Sequence, residues 1–285
     1  MSLAKRIEKA LIDAARILSE PIHKRIEWAR DEEKRLDGKS VGSKASIAVL
    51  EAILENLRIS KNEWIPMCQD TGMFDVFVDV GRSCPLSHAE IEEAILTGCE
   101  KAAKNGYFRP SVVEEPLFGR KNTKTNTPPI IWWSLVEGKN VEINVLLKGF
   151  GSENTCATRM VNPTATEEQI VAAVADIVTL AGGKPCPPIF IGIGLGGTME
   201  RAAYLSKRAL LREVGVPNSV ERYAKLEEKI LAEVQATGIG AGGLGGRITA
   251  LNVAIEYEPT HIAGLPMGVS INCWADRIAR VVWEG

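Results

Sequence analysis

A thiol, an amide, a carboxylate, a hydroxyl and a turn glycine follow one another in Cys68-Gln69-Asp70-Thr71-Gly72. A cysteine thiolate is a soft metal ligand, and a carboxylate two residues later can transfer protons. Metal-assisted hydration or elimination uses this combination of groups. Gln69 is a candidate donor to a substrate carboxylate, and Asp70 is the candidate acid–base group. A plain surface turn is the alternative interpretation of Asp70.

Two further cysteines also stand beside structural breaks. Cys186 lies in the run Lys-Pro-Cys-Pro-Pro, where three prolines fix the backbone and remove competing amide donors. Cys273 follows the strand-like run 269–272. Three thiolates can hold an iron–sulfur cluster that leaves one iron open, and such an iron acts as a Lewis acid. Inert thiols buried in a core are the alternative that the residues alone leave open.

The other three of the six cysteines favour a structural interpretation. Cys99 shares a predicted helix face with Ile91 and Leu96, which indicates the core. Cys84 precedes a proline in a turn, and Cys156 follows a polar segment. A role as a metal ligand stays open for Cys156.

An arginine and a histidine in loops add candidate binding groups. Arg109 lies between Phe108 and a proline, away from any helix face, and its planar guanidinium suits a bidentate carboxylate. A structural salt bridge is the competing account. His261 lies in a predicted loop between two strands, where an imidazole can hold a carboxylate or hydroxyl. A hydrogen-bonded structural histidine is equally compatible with that position.

The composition excludes several classes of protein. The 285 residues include 34 basic and 36 acidic side chains, so the net charge of -2 gives no argument for nucleic acid or an anionic membrane. No apolar run reaches the ~18 residues of a spanning helix, and the amino terminus reads as an amphipathic helix and not as a signal peptide. We therefore expect a cytoplasmic protein whose thiols are reduced.

Periodicity predicts alternating helices and strands. Apolar residues follow the helical period through most of the first 60 residues, with Ser43 as a candidate cap, and Ser87 and Thr166 begin capping boxes. Strands are expected near 74–80, 130–136, 141–148, 188–192, 248–257 and 267–273, with a loop at 119–129. The fold class is α/β or α+β, with a mixed sheet flanked by helices and either one core or two closely packed lobes.

Two glycine-rich segments raise the question of a nucleotide site. Residues 192–197 follow a predicted strand and precede a helix, but their spacing departs from the dinucleotide fingerprint. The segment 238–246 contains six glycines without the Lys-Ser/Thr of a P-loop, which favours a close-approach turn or a mobile loop. A nucleotide-dependent oxidoreductase is therefore a disfavoured alternative.

Five separated motifs, taken in order, resemble those of the class I, iron–sulfur fumarate hydratases and the related L(+)-tartrate dehydratases. They are Met67-Cys68-Gln69-Asp70-Thr71-Gly72, Gly151-Ser152-Glu153-Asn154, Cys186-Pro187-Pro188, the glycines of 192–197 and Pro259-Thr260-His261-Ile262-Ala263. The resemblance covers nearly the whole chain. It implies a 4Fe–4S cluster held by Cys68, Cys186 and Cys273, whose fourth iron binds the substrate hydroxyl and carboxylate.

The same resemblance implies a substrate pocket and a partner. The residues that match pocket positions are Gln69, Asp70, Arg109, Gly151 and His261, of which Asp70 and His261 are the expected catalytic groups. His261 is expected to serve the site of a neighbouring protomer, in a dimer or higher oligomer. Single-chain members continue into a second domain with further catalytic groups, so residues 1–285 resemble one α-subunit domain that a β subunit completes.

The expected reaction is reversible hydration of fumarate to L-malate. L(+)-Tartrate dehydration is the nearest alternative, since it applies the same lyase chemistry to a dicarboxylate with one more hydroxyl. A non-catalytic iron–sulfur scaffold is a third possibility.

Overall fold

The computed structural model describes the backbone of residues 1–35 and 41–285 and the side chains of residues 1–35 and 43–285. The helices in this part of the chain are α1 (Leu3–Ala14), α2 (Glu20–Arg35), α3 (Val41–Glu63), α4 (His88–Asn105), α5 (Phe150–Glu153), α6 (Glu167–Ala181), α7 (Met199–Ala209) and α8 (Glu221–Ala236). The strands are β1 (Met73–Gly81), β2 (Ile130–Val136), β3 (Val141–Lys148), β4 (Ala157–Val161), β5 (Ile189–Gly197), β6 (Ala250–Thr260), β7 (Leu265–Asn272) and β8 (Ile278–Trp283). The α/β class is confirmed.

The described chain divides into two compact units, each built from separate segments. Unit 1 comprises residues 1–19, 56–150 and 277–285, and unit 2 comprises residues 20–55 and 151–276. Each unit contains one four-stranded mixed sheet.

Unit 1 is built on a sheet of order β2-β1-β3-β8, in which only the β1–β2 pair is parallel. Helices α1 and α4 pack on one face of it, through Ile7, Leu11, Ile95 and Cys99 among others. Strand β1 is buried on both faces through its centre, where the expectation was one buried face, and the Trp132 indole donates to Asp75 Oδ1 at 2.8 Å.

Unit 2 is built on a sheet of order β4-β7-β5-β6, with β5 and β6 parallel and the other pairs antiparallel. Apolar side chains of α6 and α8, such as Val174, Ile177 and Ile230, form its core with β5, β6 and β7. The alternation of small and large residues along β5 leaves room for another helix, α7.

The glycines of 192–197 serve that packing. A Cβ at Gly192 would come within 2.0 Å of the Ser206 carbonyl oxygen, and one at Gly194 within 2.1 Å of the Ala202 oxygen. Only glycine admits so close a helix. The predicted strand 188–192 was too short, because Gly192 and Gly194 lie inside β5 and not in the turn after it. This position contradicts the nucleotide fingerprint, whose glycines occupy that turn.

Local signals fixed several helix boundaries. Both capping boxes are present: Ser87 Oγ accepts from Glu90 N at 3.2 Å, and Thr166 Oγ1 accepts from Gln169 N at 3.4 Å. The cap predicted at Ser43 is wrong, because α3 begins at Val41 and Ser43 lies in its first turn. Leu96 is 38% exposed, so Cys99 shares its buried face with Ile91 and Ile95 instead.

Candidate functional site

The backbone around Cys68 is fixed by contacts on both sides of Met67. Met67 N donates to the Ala15 carbonyl oxygen at 2.9 Å, and Asn56 Nδ2 donates to the Met67 carbonyl oxygen at 2.8 Å. Met67 is buried and Cys68 is half-buried. The turn therefore leaves the Cys68 thiol partly exposed.

The Asp70 carboxylate is held by backbone amides through both oxygens. Oδ1 accepts from Gly72 N at 3.1 Å, and Oδ2 accepts from Phe150 N at 2.8 Å. Gly72 has a φ of +86°, and a Cβ there would lie 2.7 Å from the Lys148 carbonyl carbon. The turn thus requires glycine at position 72, and it fixes Asp70 against the segment that follows β3.

The backbone of Arg109 lies beside this turn. Its carbonyl oxygen accepts from Asn126 Nδ2 at 2.9 Å and from Thr71 Oγ1 at 3.5 Å. The side chains of Arg109 and Gln69 are exposed. The Thr71 contact therefore makes the backbone segments of Gln69–Asp70 and of Arg109 neighbours within unit 1.

Cys186 occupies a strained turn. Its φ is +55°, in the left-handed region that disfavours side chains with a Cβ, and the following Pro187–Pro188 peptide is cis. Cys186 N donates to the Gly183 carbonyl oxygen at 3.1 Å, and the side chain is exposed. The chain keeps a strained backbone here while it presents a thiol outward, and such strain is concentrated at functional sites.

Cys273 lies next to Cys186 within unit 2. Trp274 N donates to the Cys186 carbonyl oxygen at 3.4 Å, so the segment after β7 is hydrogen-bonded to the Cys186 turn. Cys273 is half-buried, and its Sγ lies 3.8 Å from the Ala275 carbonyl oxygen. The backbone segments that carry two of the three predicted ligands are thus neighbours.

Glycines from two other segments support the Cys186 turn. Gly242 N donates to the Pro187 carbonyl oxygen at 2.8 Å, and a Cβ at Gly243 would lie 2.5 Å from Gly183 Cα. The glycine-rich segment 238–246 is therefore a close-approach turn. A Cβ at Gly151 would lie 3.5 Å from the Lys184 carbonyl oxygen, which places Gly151 beside the same turn.

His261 is exposed in the connection between β6 and β7, a loop between two strands as predicted. Its Nδ1 accepts from Ala263 N at 3.1 Å, so the neutral imidazole carries its proton on Nε2. The structure does not join it to the other candidates of unit 2: among the described residues, His261 has no hydrogen bond or ion pair to Gly151, Cys186 or Cys273.

The six thiols differ in their suitability as metal ligands. None of them is in a disulfide. Burial raises the pKa of Cys99 to about 12, so it stays protonated and is a poor ligand, which agrees with its predicted place in the core. Cys156 Sγ lies 3.3 Å from Ile271 N, which donates to it from β7.

The donor set at positions 68, 186 and 273 fits an iron–sulfur cluster in its chemistry. All three thiols lie in loops outside the helices and strands and are at least partly exposed. Soft thiolates are the usual ligands of such clusters. Among the described residues, no group of three or more His, Cys, Asp or Glu side chains is placed to hold a metal ion. Cys68 belongs to unit 1, whereas Cys186 and Cys273 belong to unit 2.

Sequence reasoning missed two buried cations near Asp70. Lys148 is 2% exposed at the end of β3, and its Nζ donates to the Gly149 carbonyl oxygen at 3.2 Å. Arg277 is 1% exposed and directly precedes β8. No local sequence pattern indicates their burial, because it depends on contacts between distant segments, such as the hydrogen bond from Arg277 Nη2 to the Leu147 carbonyl oxygen.

In the described part of the chain, no helix combines the length and apolar character that a membrane crossing requires.

Known proteins resemble this chain over most of its length. A chain named putative L(+)-tartrate dehydratase subunit alpha, from Methanocaldococcus jannaschii, is 43% identical over 247 residues, which cover 85% of this chain and 86% of the relative. The L(+)-tartrate dehydratase subunit alpha of Escherichia coli K12 is 28% identical over 249 residues, 87% of this chain and 82% of that relative. The sequence profile of the fumarate hydratase (Fumerase) family matches residues 4–282. The chain therefore belongs to the fumarate hydratase (Fumerase) family.

Proposed function

We propose that this chain is the α subunit of an iron–sulfur hydro-lyase that adds water to, or removes it from, a small dicarboxylate. Membership of the fumarate hydratase family supports the lyase chemistry. Relatives named "subunit alpha" support a β subunit that completes the active site. The proposal extends over residues 1–285 as one α-subunit domain.

Cys68, Cys186 and Cys273 are the proposed ligands of a 4Fe–4S cluster. The observation that carries this assignment is the hydrogen bond from Trp274 N to the Cys186 carbonyl oxygen at 3.4 Å, which holds two of the three cysteine segments side by side. When bound through three thiolates, such a cluster supplies an open iron that acts as a Lewis acid on a hydroxyl and a carboxylate.

The residues of this chain bind the substrate and move its proton. Arg109 and Gln69, both exposed beside the Asp70 turn, hold a substrate carboxylate, and cations of the β subunit hold the other. Asp70 is fixed by Gly72 N and Phe150 N, and it orients the β-subunit base or accepts the proton that this base removes from C3.

Gly151 and His261 complete the proposed pocket. Gly151 lies beside the Lys184 carbonyl oxygen, where the absence of a side chain leaves room for substrate. His261 carries its proton on Nε2, because Nδ1 accepts from Ala263 N, and it donates that proton in a hydrogen bond to a substrate oxygen of a neighbouring protomer's site.

Fumarate and L-malate are the first proposed substrate pair, in agreement with the family description. L(+)-Tartrate is the second candidate, and the names of the relatives favour it at least as strongly. The αβ complex, prepared without oxygen, is to be assayed with L-malate, fumarate and L(+)-tartrate. The substrate with the highest kcat/KM identifies the physiological reaction, and turnover of none of the three would overturn the hydro-lyase proposal.

The cluster assignment is tested by iron and sulfide quantification. Cys186→Ser in the anaerobic αβ complex is expected to lose most of its iron and its turnover, as are the equivalent changes at Cys68 and Cys273. Cys84→Ser is the matched control, because Cys84 is half-buried in a turn like Cys68. Retained hydro-lyase activity in Cys68→Ala would favour a non-catalytic scaffold.

The oligomeric state and location stay predictions. We expect a dimer or higher oligomer, since the proposed role of His261 needs a second protomer. A cytoplasmic location is consistent with six cysteines that form no disulfide.

A further inference from the structure

A buried guanidinium lies close to the Asp70 carboxylate in unit 1. Arg277 is 1% exposed, its Nη2 donates to the Leu147 carbonyl oxygen at 3.3 Å, and its own carbonyl oxygen accepts from Leu147 N at 3.0 Å. These two hydrogen bonds tie the segment before β8 to the end of β3.

Two other donor nitrogens of Arg277 make no hydrogen bond of this kind. Nε and Nη1 are buried and have no hydrogen-bond partner among the residues that the structure describes. A buried cation without a full set of partners is costly, and it is retained where its charge is needed. A purely structural link between β3 and β8 would need only the hydrogen bonds already named.

The surroundings of Gly149 indicate that the Arg277 guanidinium lies near the Asp70 carboxylate. A Cβ on Gly149 would lie 3.3 Å from Asp70 Oδ2 and 3.5 Å from Arg277 Nη2. The carboxylate and the guanidinium therefore both border the open space beside Gly149, and a methyl group there would contact each of them. Lys148 adds a second buried positive charge, with its Nζ on the Gly149 carbonyl oxygen.

We propose that Arg277 is a positioning residue for Asp70, whose carboxylate it orients across Gly149. The inference rests on the proposed function, in which Asp70 handles the proton of a hydro-lyase reaction. The residue acts through Asp70 and does not touch the substrate, so its removal lowers kcat and leaves KM nearly unchanged. A methyl group at position 149 would lie 3.3 Å from Asp70 Oδ2, so Gly149→Ala should shift the carboxylate by a few tenths of an ångström.

The test uses the anaerobic αβ complex and its best substrate among L-malate, fumarate and L(+)-tartrate. Arg277→Met is expected to lower kcat by about 10²-fold, the effect of a misplaced catalytic group, with KM changed by less than about twofold. Arg277→Lys keeps the charge and should recover part of the loss. Gly149→Ala should also lower kcat, whereas Gly119→Ala, a control with only one atom as near as 4.0 Å to the added methyl, should not.

A second readout needs no cluster and no turnover. Urea unfolding of the α chain with Asp70→Asn, Arg277→Met and both changes gives a double-mutant cycle. If the two side chains interact, the double variant loses less unfolding free energy than the sum of the single losses. Additive losses would overturn the proposal.

The kinetic outcomes separate the alternatives. A rise in KM with unchanged kcat would make Arg277 a substrate-binding residue, and an unchanged kcat in both Arg277→Met and Gly149→Ala would remove it from the reaction; each overturns the inference. If Arg277→Met does not fold, Gly149→Ala decides. A wild-type complex that is inactive on all three substrates would refute the proposed function, and the unfolding cycle would still test the pairing.

Discussion

The Cys186 turn is supported from a distance by Glu33, and removal of that carboxylate gives a quantitative prediction. Glu33 is fully buried on α2. Its Oε1 accepts from Arg247 N at 2.6 Å, Ile248 N at 2.8 Å and Ser46 Oγ at 3.1 Å. These bonds anchor the end of the glycine-rich segment 238–246, which packs against the Cys186 turn.

The three hydrogen bonds differ in the free energy that their loss costs in Glu33→Ala. Ile248 N is buried and would lose its only named acceptor, at a cost of about 1–3 kcal/mol. Arg247 is exposed, so water can replace its acceptor, and that bond and the Ser46 hydroxyl contribute about 1 kcal/mol each. We therefore expect Glu33→Ala to lower the free energy of unfolding by about 3–5 kcal/mol.

Two matched variants sharpen the measurement. Glu33→Gln keeps an oxygen that can accept all three bonds and replaces Oε2, which has no hydrogen-bond partner among the described residues, by an amide nitrogen, so its loss should be smaller than that of Glu33→Ala. Glu32→Ala removes the neighbouring carboxylate, which pairs with Arg35 at the surface, and its loss should be much smaller.

Urea unfolding followed by circular dichroism measures all three variants, and anaerobic iron content of the αβ complex reports on the Cys186 turn. Glu33→Ala is expected to hold less iron than Glu33→Gln. The reasoning is refuted if Glu33→Ala loses under about 1 kcal/mol, or if Gln and Ala lose equal amounts, because three bonds to one oxygen would then not carry the stability.

Three further outcomes are expected. Asp70→Asn should retain the iron content of the wild-type complex and lower turnover by about 10²-fold or more, since it removes the proton-handling group; unchanged turnover would exclude Asp70 from the mechanism. When the cluster-free chain is alkylated at pH 8–9, the exposed Cys186 should react quickly. Cys99 should react only on unfolding, because burial raises its pKa to about 12. Mass spectrometry of the labelled peptides checks both, and rapid labelling of Cys99 in the folded chain would contradict its burial. Gly194→Ala should lower the unfolding free energy by about 3 kcal/mol, because its methyl would meet the Ala202 carbonyl oxygen at 2.1 Å; a melting temperature equal to that of the wild type would contradict the close packing of α7 on β5.

The sequence predicted features that depend on neighbouring residues. The Ser87–Glu90 capping box and the turn after Cys68 are formed by groups within a few positions of each other, so residue type alone indicates them. The end of β7 before Cys273 was also recognisable, from an apolar run that stops at Asn272.

The features that the sequence did not predict depend on distant contacts or on weak periodicity. Strand β4 alternates between half-buried and exposed residues without a fully buried face, and β8 carries Arg280 within a short apolar run, so neither gives a clear strand pattern. The hydrogen bond from Phe150 N to Asp70 joins residues 80 positions apart. The buried places of Lys148 and Arg277 follow from such contacts, and no local pattern indicates them.

The interleaved segments of the two units bear on how the protein is made. Strand β8 pairs with β3 but is translated more than a hundred residues later, so unit 1 cannot complete its sheet until residues 278–283 leave the ribosome. All four strands of unit 2 precede residue 273, and its sheet can therefore close first on the nascent chain. Cys68 is synthesised early, yet the sheet of the unit that carries it can be completed only after β8 has been made.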